Sequence, residues 1–320
     1  MRPSLACLIS IAVVAACGGE PPPLPAVDVA VHRDSIDRWH NARHLGIYGP
    51  RGWGAMVGMW WIEPGATAIG SDSSNAMVLP ADRAPRRFGT INVSADSTWF
   101  AAAPGVTVTV DSLPDRVTTA RMRSDLQPKA TIVRYGSLMV HYIVREDRGK
   151  YFHGIRVRDT LNPALANPKP LRYFPTDIAW RVQAKYTPLP RPDSVSIIGV
   201  LGMETRMSYE GNLTFTLMGE RRSLMIIREP EDHGKNLFVM FTDSTSRKES
   251  YPSTRYVSVT PPDSLGRTVI DFNKAYNPPC AFTPYSTCPF PPRGNDLPLR
   301  VEAGEWNPHY VEIVAGKPGS

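Results

Sequence analysis

The chain has 320 residues, 42% of them hydrophobic and 21% charged, with 32 prolines, 24 glycines and a formal charge of +6. That much proline excludes a helical bundle or coiled coil, because proline removes a backbone donor and breaks helix interiors, while the apolar fraction excludes a disordered chain. The basic residues stand singly or in pairs such as Arg86-Arg87 and Arg221-Arg222; an Arg-rich solvated surface is expected, and no nucleic-acid partner.

Leu5–Ala16 is almost wholly apolar and too short to span a bilayer. It ends in Val14-Ala15-Ala16-Cys17, an aliphatic and two small residues before a cysteine, which resembles the bacterial lipoprotein lipobox. The resemblance implies a signal peptide over 1–16 and lipidation at Cys17. Gly18, where Asp would favour inner-membrane retention, implies the outer membrane, facing the periplasm. Residues 17–27 carry GGEPPPLP, an extended spacer that would tether a folded body to the membrane.

A helical lead-in is expected over 28–50, with Asp28 as N-cap and Val31, Ile36, Trp39 and Ala42 on one side. His32, His40 and His44 lie on this helix, but Asn41-Ala42-Arg43 between the last two offers no acidic base, so no metal site is expected.

From Gly52 the pattern turns to short strands with turn signals every 8–12 residues. The runs are Gly58–Ile62, Ala66–Ile69, Met77–Leu79, Thr90–Val93, Trp99–Ala101 and the alternating Val106–Val110. Ile132–Tyr135 and Leu138–Val144 form a hairpin across Gly136-Ser137. Ile69-Gly70-Ser71, Asn75, Val78-Leu79 and Gly89-Thr90-Ile91 resemble a degenerate forkhead-associated β-sandwich, expected over 51–150. That family reads phosphothreonine through an Arg and a Ser-x-x-His; Ser71 and Arg83-Ala84-Pro85-Arg86 replace them, so the resemblance implies the fold without phosphopeptide binding.

Gly149–Asn167 reads as a transition, with the main boundary near it. Strands are then expected at Trp180–Tyr186, Val195–Leu201, Leu213–Met218, Ser223–Ile227, Leu237–Phe241, Arg255–Val259, Val269–Phe272 and Leu299–Val301, with a turn at Gly211-Asn212. Without alternating helices this is no doubly wound fold. An antiparallel domain that curls or closes like a barrel is expected over 151–305, then a tail over 306–320.

The densest chemistry runs from Phe241-Thr242-Asp243 through Glu249-Ser250-Tyr251 and Arg255-Tyr256 to Asp271-Phe272-Asn273-Lys274-Ala275-Tyr276-Asn277-Pro278-Pro279-Cys280, then Cys288-Pro289 and Ala303-Gly304-Glu305. With Arg156–Asp159, Tyr173-Phe174-Pro175, Gly52-Trp53 and Trp61–Asp72 upstream, this string resembles the bacterial family called domain of unknown function 1684. Arg247 departs from the family's Gly, Ser250 from its Thr, and Ser253-Thr254 from a Gly-rich turn. The resemblance implies no established activity.

Asp243, Glu249, Tyr251, Arg255, Tyr256, Asp271, Asn273, Tyr276 and Asn277 are therefore the candidate ligand-binding residues. Such carboxylates, amides and phenols can orient a saccharide or other polar ligand; equally, they can fix irregular backbone or form a buried ion-pair network. Cys280 and Cys288 are the only cysteines after Cys17. In an oxidising envelope they would pair, with reduced thiols or a metal or nucleophilic role as the alternatives. No G-x-S-x-G, P-loop or H-E-x-x-H occurs, and no cofactor is expected. The leading expectation is a lipid-anchored envelope protein that binds a ligand or an envelope partner. Its rivals are a glycan or ester hydrolase using carboxylates of the Asp243–Asp271 cluster, and a structural assembly protein.

Overall fold

The computed structural model describes residues 23–111, 113–230 and 237–309. The signal segment, Cys17, the start of the tether and the tail beyond 309 lie outside the described residues. Helix α1 (Val29–Tyr48) starts where the Asp28 carboxylate accepts hydrogen bonds from the amides of Ala30 and Val31. Its inward face is not the apolar stripe the spacing suggested. Val31 is 58% exposed, while His32, Ile36 and Ile47 are buried. The helix meets Asp271 and Glu305 of the carboxy-terminal unit, so its inward side chains include polar ones.

The first unit is a β-sandwich. One sheet has the order β1 (Met56–Ile62), β10 (Lys150–Asp159), β9 (Leu138–Asp147), β8 (Ile132–Tyr135), β6 (Thr109–Val110). The facing sheet runs β3 (Met77–Val78), β2 (Gly65–Gly70), β4 (Gly89–Val93), β5 (Thr98–Ala102), β7 (Thr119–Arg121). Ile69, Phe88, Ile91 and Phe100 from one side meet Val133, Leu138, Val140, Ile155 and Val157 from the other in one core. Strand period two puts one set of side chains into that core and leaves its neighbours pointing away. In β9 and β10, Tyr142, Val144, Ile155 and Val157 face inward; His141, Arg145, Arg156 and Arg158 alternate with them on the outer face.

Two expectations change here. Of Val106–Val110, only Thr109–Val110 pairs as a strand, although Val106, Val108 and Val110 do bury. Residues 150–159, placed beyond the first domain, form β10, which pairs with both β9 and β1. Its charged outer residues hid the strand.

The second unit has a four-stranded antiparallel sheet in the order β13 (Glu220–Arg228), β12 (Glu204–Leu217), β11 (Arg181–Ile198), β16 (Arg267–Asp271). A three-stranded sheet, β15 (Arg255–Val259), β14 (Leu237–Asp243), β17 (Asp296–Leu297), packs with it around Leu213, Leu224, Val239, Phe241, Val257, Ile270 and Phe272. The sheets do not close, so the barrel-like alternative falls. Gly211 is no turn. It lies inside β12 at a bulge with φ +153°, where a Cβ would stand 2.4 Å from the Thr187 carbonyl oxygen. Leu299–Val301 is not a strand; β17 precedes it, and Val301 instead caps the buried charge pair described below. Among the described residues no helix is long and apolar enough to cross a membrane.

Candidate functional site

The sequence cluster separates into distinct sets of partners. Asp243 and Arg255 form a buried ion pair, Nη1 to Oδ1 at 3.0 Å, with the two side chains 0% and 1% exposed. The Asp243 carboxylate also accepts from the amides of Thr245 (3.0 Å) and Val301 (2.7 Å) and from the Thr245 hydroxyl (2.9 Å). Arg255 donates to the carbonyls of Val301, at 2.9 Å, and Ala303, and its guanidinium lies 5.2 Å from the Phe241 ring centre. Burial pulls the Arg255 pKa below its usual range, and Asp243 opposes that. The pair's hydrogen bonds to Val301 and Ala303 tie the chain after β17 to β14 and β15.

Asp271 turns the other way. Its Oδ2 meets Nε2 of His32 on α1 at 2.8 Å, and its Oδ1 accepts from the Asn273 amide and side chain. Asn273 in turn holds the backbone of Asp177 on both its N–H (3.0 Å) and its C=O (2.9 Å). Asn277 belongs to a third set. Its amide donates to Glu305 at 2.8 Å and its side chain to the Trp306 carbonyl at 2.7 Å. Glu305 binds Arg43 of α1 at 2.6 Å, and that guanidinium sits 4.6 Å over the Tyr276 ring. Burial raises the Tyr276 pKa. His40 stacks on Tyr173 with ring centres 3.5 Å apart, and among the described residues no three His, Cys, Asp or Glu groups are placed to share a metal ion.

The other candidates belong to none of these three sets. Glu249 pairs with the exposed Arg300 at 2.9 Å. Tyr251 is half-buried beside Ser253. Tyr256 packs edge-on against Phe238 and Tyr276, at 4.8 and 5.7 Å between centres. Asp243 and Asp271 thus do not face one another across a common opening, as a glycosidase pair must.

An opening that both units line lies elsewhere. A cavity of about 310 Å³ separates the outer face of β9 and β10 from the second unit. Trp53, Asp125, His141, Arg145, Arg156 and Arg158 line it from the sandwich side. Glu229, Tyr256, Pro279, Ser286, Thr287 and Cys288 line it from the other. Cys280 and Cys288 stand at disulfide distance, Cα atoms 6.3 Å apart, within the range a bridge requires. Their loop presents the Thr287 hydroxyl, which accepts from Arg145 Nε (3.0 Å) and Arg156 Nη2 (3.1 Å), and the Tyr285 carbonyl, which also accepts from Arg156. Arg145 pairs with Asp125 at 2.9 Å. Arg156 and Arg158 both lie over Trp53, at 5.4 and 5.5 Å. Arg158 Nη1 contacts His141 Nε2 at 2.9 Å. Burial first, then the nearby arginines, pull the His141 pKa down to about 3; burial lowers that of Arg158 to about 10.

Residues 168–306 match the family model described as protein of unknown function DUF1684. An uncharacterized protein of Haloarcula marismortui, solved by solution NMR, is 35% identical, covering 44% of this chain and 78% of its own, at a TM-score of 0.37. Residues 168–306 belong to the DUF1684 family. Two forkhead-associated domains also match. The FhaA FHA domain shows 17% identity over 31% of this chain and 86% of its own (TM-score 0.21). The FHA-2 domain of a Mycobacterium tuberculosis ABC transporter shows 20% over 29% and 76% (TM-score 0.21). Among curated proteins none matches. Ser71, at the position where the forkhead-associated pattern has its Arg, donates its hydroxyl to the Ala84 carbonyl at 2.9 Å.

Most DUF1684 string residues are thus internal ties, but the string's Tyr256, Pro279, Cys288 and Pro289 also wall the cavity. Sequence reasoning missed His141, Arg145, Arg158, Thr287 and Trp53 as cavity residues, and Arg43 and Glu305 as a linked pair. The available signal was basic residues an even number of positions apart, His141 with Arg145 and Arg156 with Arg158, which gathers charge on one strand face.

Proposed function

We propose that this DUF1684 member is a lipid-anchored envelope protein that binds a small ligand in the cavity between its two β units. Binding is favoured over hydrolysis by one observation: the candidate carboxylates are engaged internally. Asp243 is held by Arg255 and two backbone amides, and Asp271 by His32 and Asn273. A pocket built from both units, of a size at the lower end of small-molecule sites, remains available. The lipobox-like Val14–Cys17 and the Pro-rich spacer support attachment to the outer membrane with the body in the periplasm.

Two experiments test this. Cys17→Ser should move the protein from the membrane to the soluble fraction; unchanged fractionation refutes the anchor. Ligand-observed NMR with a panel of neutral saccharides and small organic acids should find binders to the wild type. Ala130 also lines the cavity, and Ala130→Trp, which fills it, should lose them. Binders that persist in the variant, or an empty panel, refute the cavity.

A further inference from the structure

We infer that the ligand of this cavity is a small oxyanion, the carboxylate or phosphate end of a free organic molecule, received by Arg158, His141 and Thr287. This rests on the reading of the cavity as a ligand site and adds its chemistry.

Three side chains of the cavity hold unspent hydrogen-bonding capacity. Among the described residues Arg158 makes no ion pair with a carboxylate; its Nε donates to the Gly52 carbonyl at 3.3 Å and its Nη1 meets His141 Nε2 at 2.9 Å. A guanidinium can only donate. His141 Nε2 is therefore the acceptor, and the single proton of the neutral ring sits on Nδ1. The depressed basicity of His141 agrees with a ring held neutral beside three arginines. Thr287 Oγ1 accepts from two guanidinium groups, at 3.0 and 3.1 Å, so its own proton points away from both. What these three residues still offer is donors alone: the Nη2 hydrogens of Arg158, the Nδ1 hydrogen of His141 and the Thr287 hydroxyl. Donors without acceptors suit an oxyanion and suit a neutral polyol poorly, since a hydroxyl ligand must itself place a proton.

The charge balance agrees. Three arginines line the cavity against two carboxylates, Asp125 and Glu229. Asp125 is committed to Arg145. Arg158 is thus a partly buried cation whose neighbours are an indole and a neutral imidazole. Burying such a charge without a counter-charge is unfavourable, and a bound anion removes that cost. The volume of about 310 Å³ equals roughly ten water molecules, which limits the guest to a small molecule.

The test is calorimetric titration of the soluble chain with inorganic phosphate, glycerol 3-phosphate and succinate, with glycerol and glucose as neutral counterparts. At least one anion should bind, and the neutral molecules should not compete with it. Arg158→Gln should weaken the anion at least tenfold, Thr287→Val severalfold, and Arg158→Lys should retain part of the affinity. Thermal melts of each variant confirm that it is folded. Anion binding that ignores Arg158→Gln in a folded variant, or no anion binding at all, overturns the inference. If a neutral probe alone binds and Ala130→Trp abolishes it, the anion inference fails while the cavity stands. If no probe of either kind binds, both fail.

Discussion

Replacing Asp243 by alanine should destabilise the second unit by about 3–5 kcal/mol, the usual consequence of removing one member of a buried ion pair. The structure supplies the reasons. Arg255 would keep the Val301 and Ala303 carbonyls and the Thr245 hydroxyl, but its charge would lose its carboxylate partner in a site 1% exposed. The amides of Thr245 and Val301 would lose their shared acceptor, and each unpaired buried group costs about 1–3 kcal/mol. These terms overlap and do not add. For a unit of this size the midpoint should fall by on the order of 10 °C. Urea unfolding followed by tryptophan fluorescence measures it. The pair Asp243→Leu with Arg255→Met should recover part of the loss, because the stranded charge is gone. A loss below about 1 kcal/mol for Asp243→Ala would refute the scaffold reading. So would a gain in stability, the sign often seen when a strained catalytic carboxylate is removed.

Three further outcomes are expected. Arg247 has φ +75° at a position where the family string favours glycine, so Arg247→Gly should stabilise by about 0.5–1 kcal/mol, the left-handed penalty less the added chain entropy; a loss of midpoint would contradict this. His141 titrates near 3 when folded against about 6.5 when unfolded. The unfolded chain therefore binds the extra proton below about 6.5, and stability falls with pH from there toward 3, by at most about 1.4 kcal/mol per unit. His141→Gln should flatten that limb of the stability–pH curve, and parallel curves for the two proteins between pH 6.5 and 4.5 would refute it. Finally, Cys280→Ser with Cys288→Ser should cost about 2–3 kcal/mol if the pair is bridged. It should also weaken anion binding, because that loop places Thr287 and the Tyr285 carbonyl against Arg145 and Arg156. Equal midpoints with and without reductant in the wild type would show unbridged thiols.

Much of the architecture was legible because local rules governed it. Asp28 before an amphipathic run predicts the start of α1, and Gly136-Ser137 between two apolar runs predicts the β8–β9 hairpin that forms. What stayed hidden depends on distant partners. His32 and Asp271 are 239 positions apart, and Arg43 and Glu305 are 262 apart. Nothing local announces that α1 clasps the DUF1684 string. β10 escaped notice because Arg156 and Arg158 break its apolar pattern, and they do so because that face meets the other unit across a polar cavity. The string itself misled by adjacency. Asp243 and Asp271 are near in sequence and rich in chemistry, yet each is satisfied by its own partners. The open capacity lies on Arg158, which the sequence presented as scattered surface charge.

The central claim is that the site is the cavity between the units, with Arg158 as its receptor. Crystals of the chain lacking the segment up to Cys17, soaked in tungstate, test it most directly through the metal's anomalous signal. A peak is expected within hydrogen-bonding distance of Arg158 Nη2 and Thr287 Oγ1. A peak confined to the surface beside Asp243 and Arg247, with the Arg158 cavity empty, would contradict it.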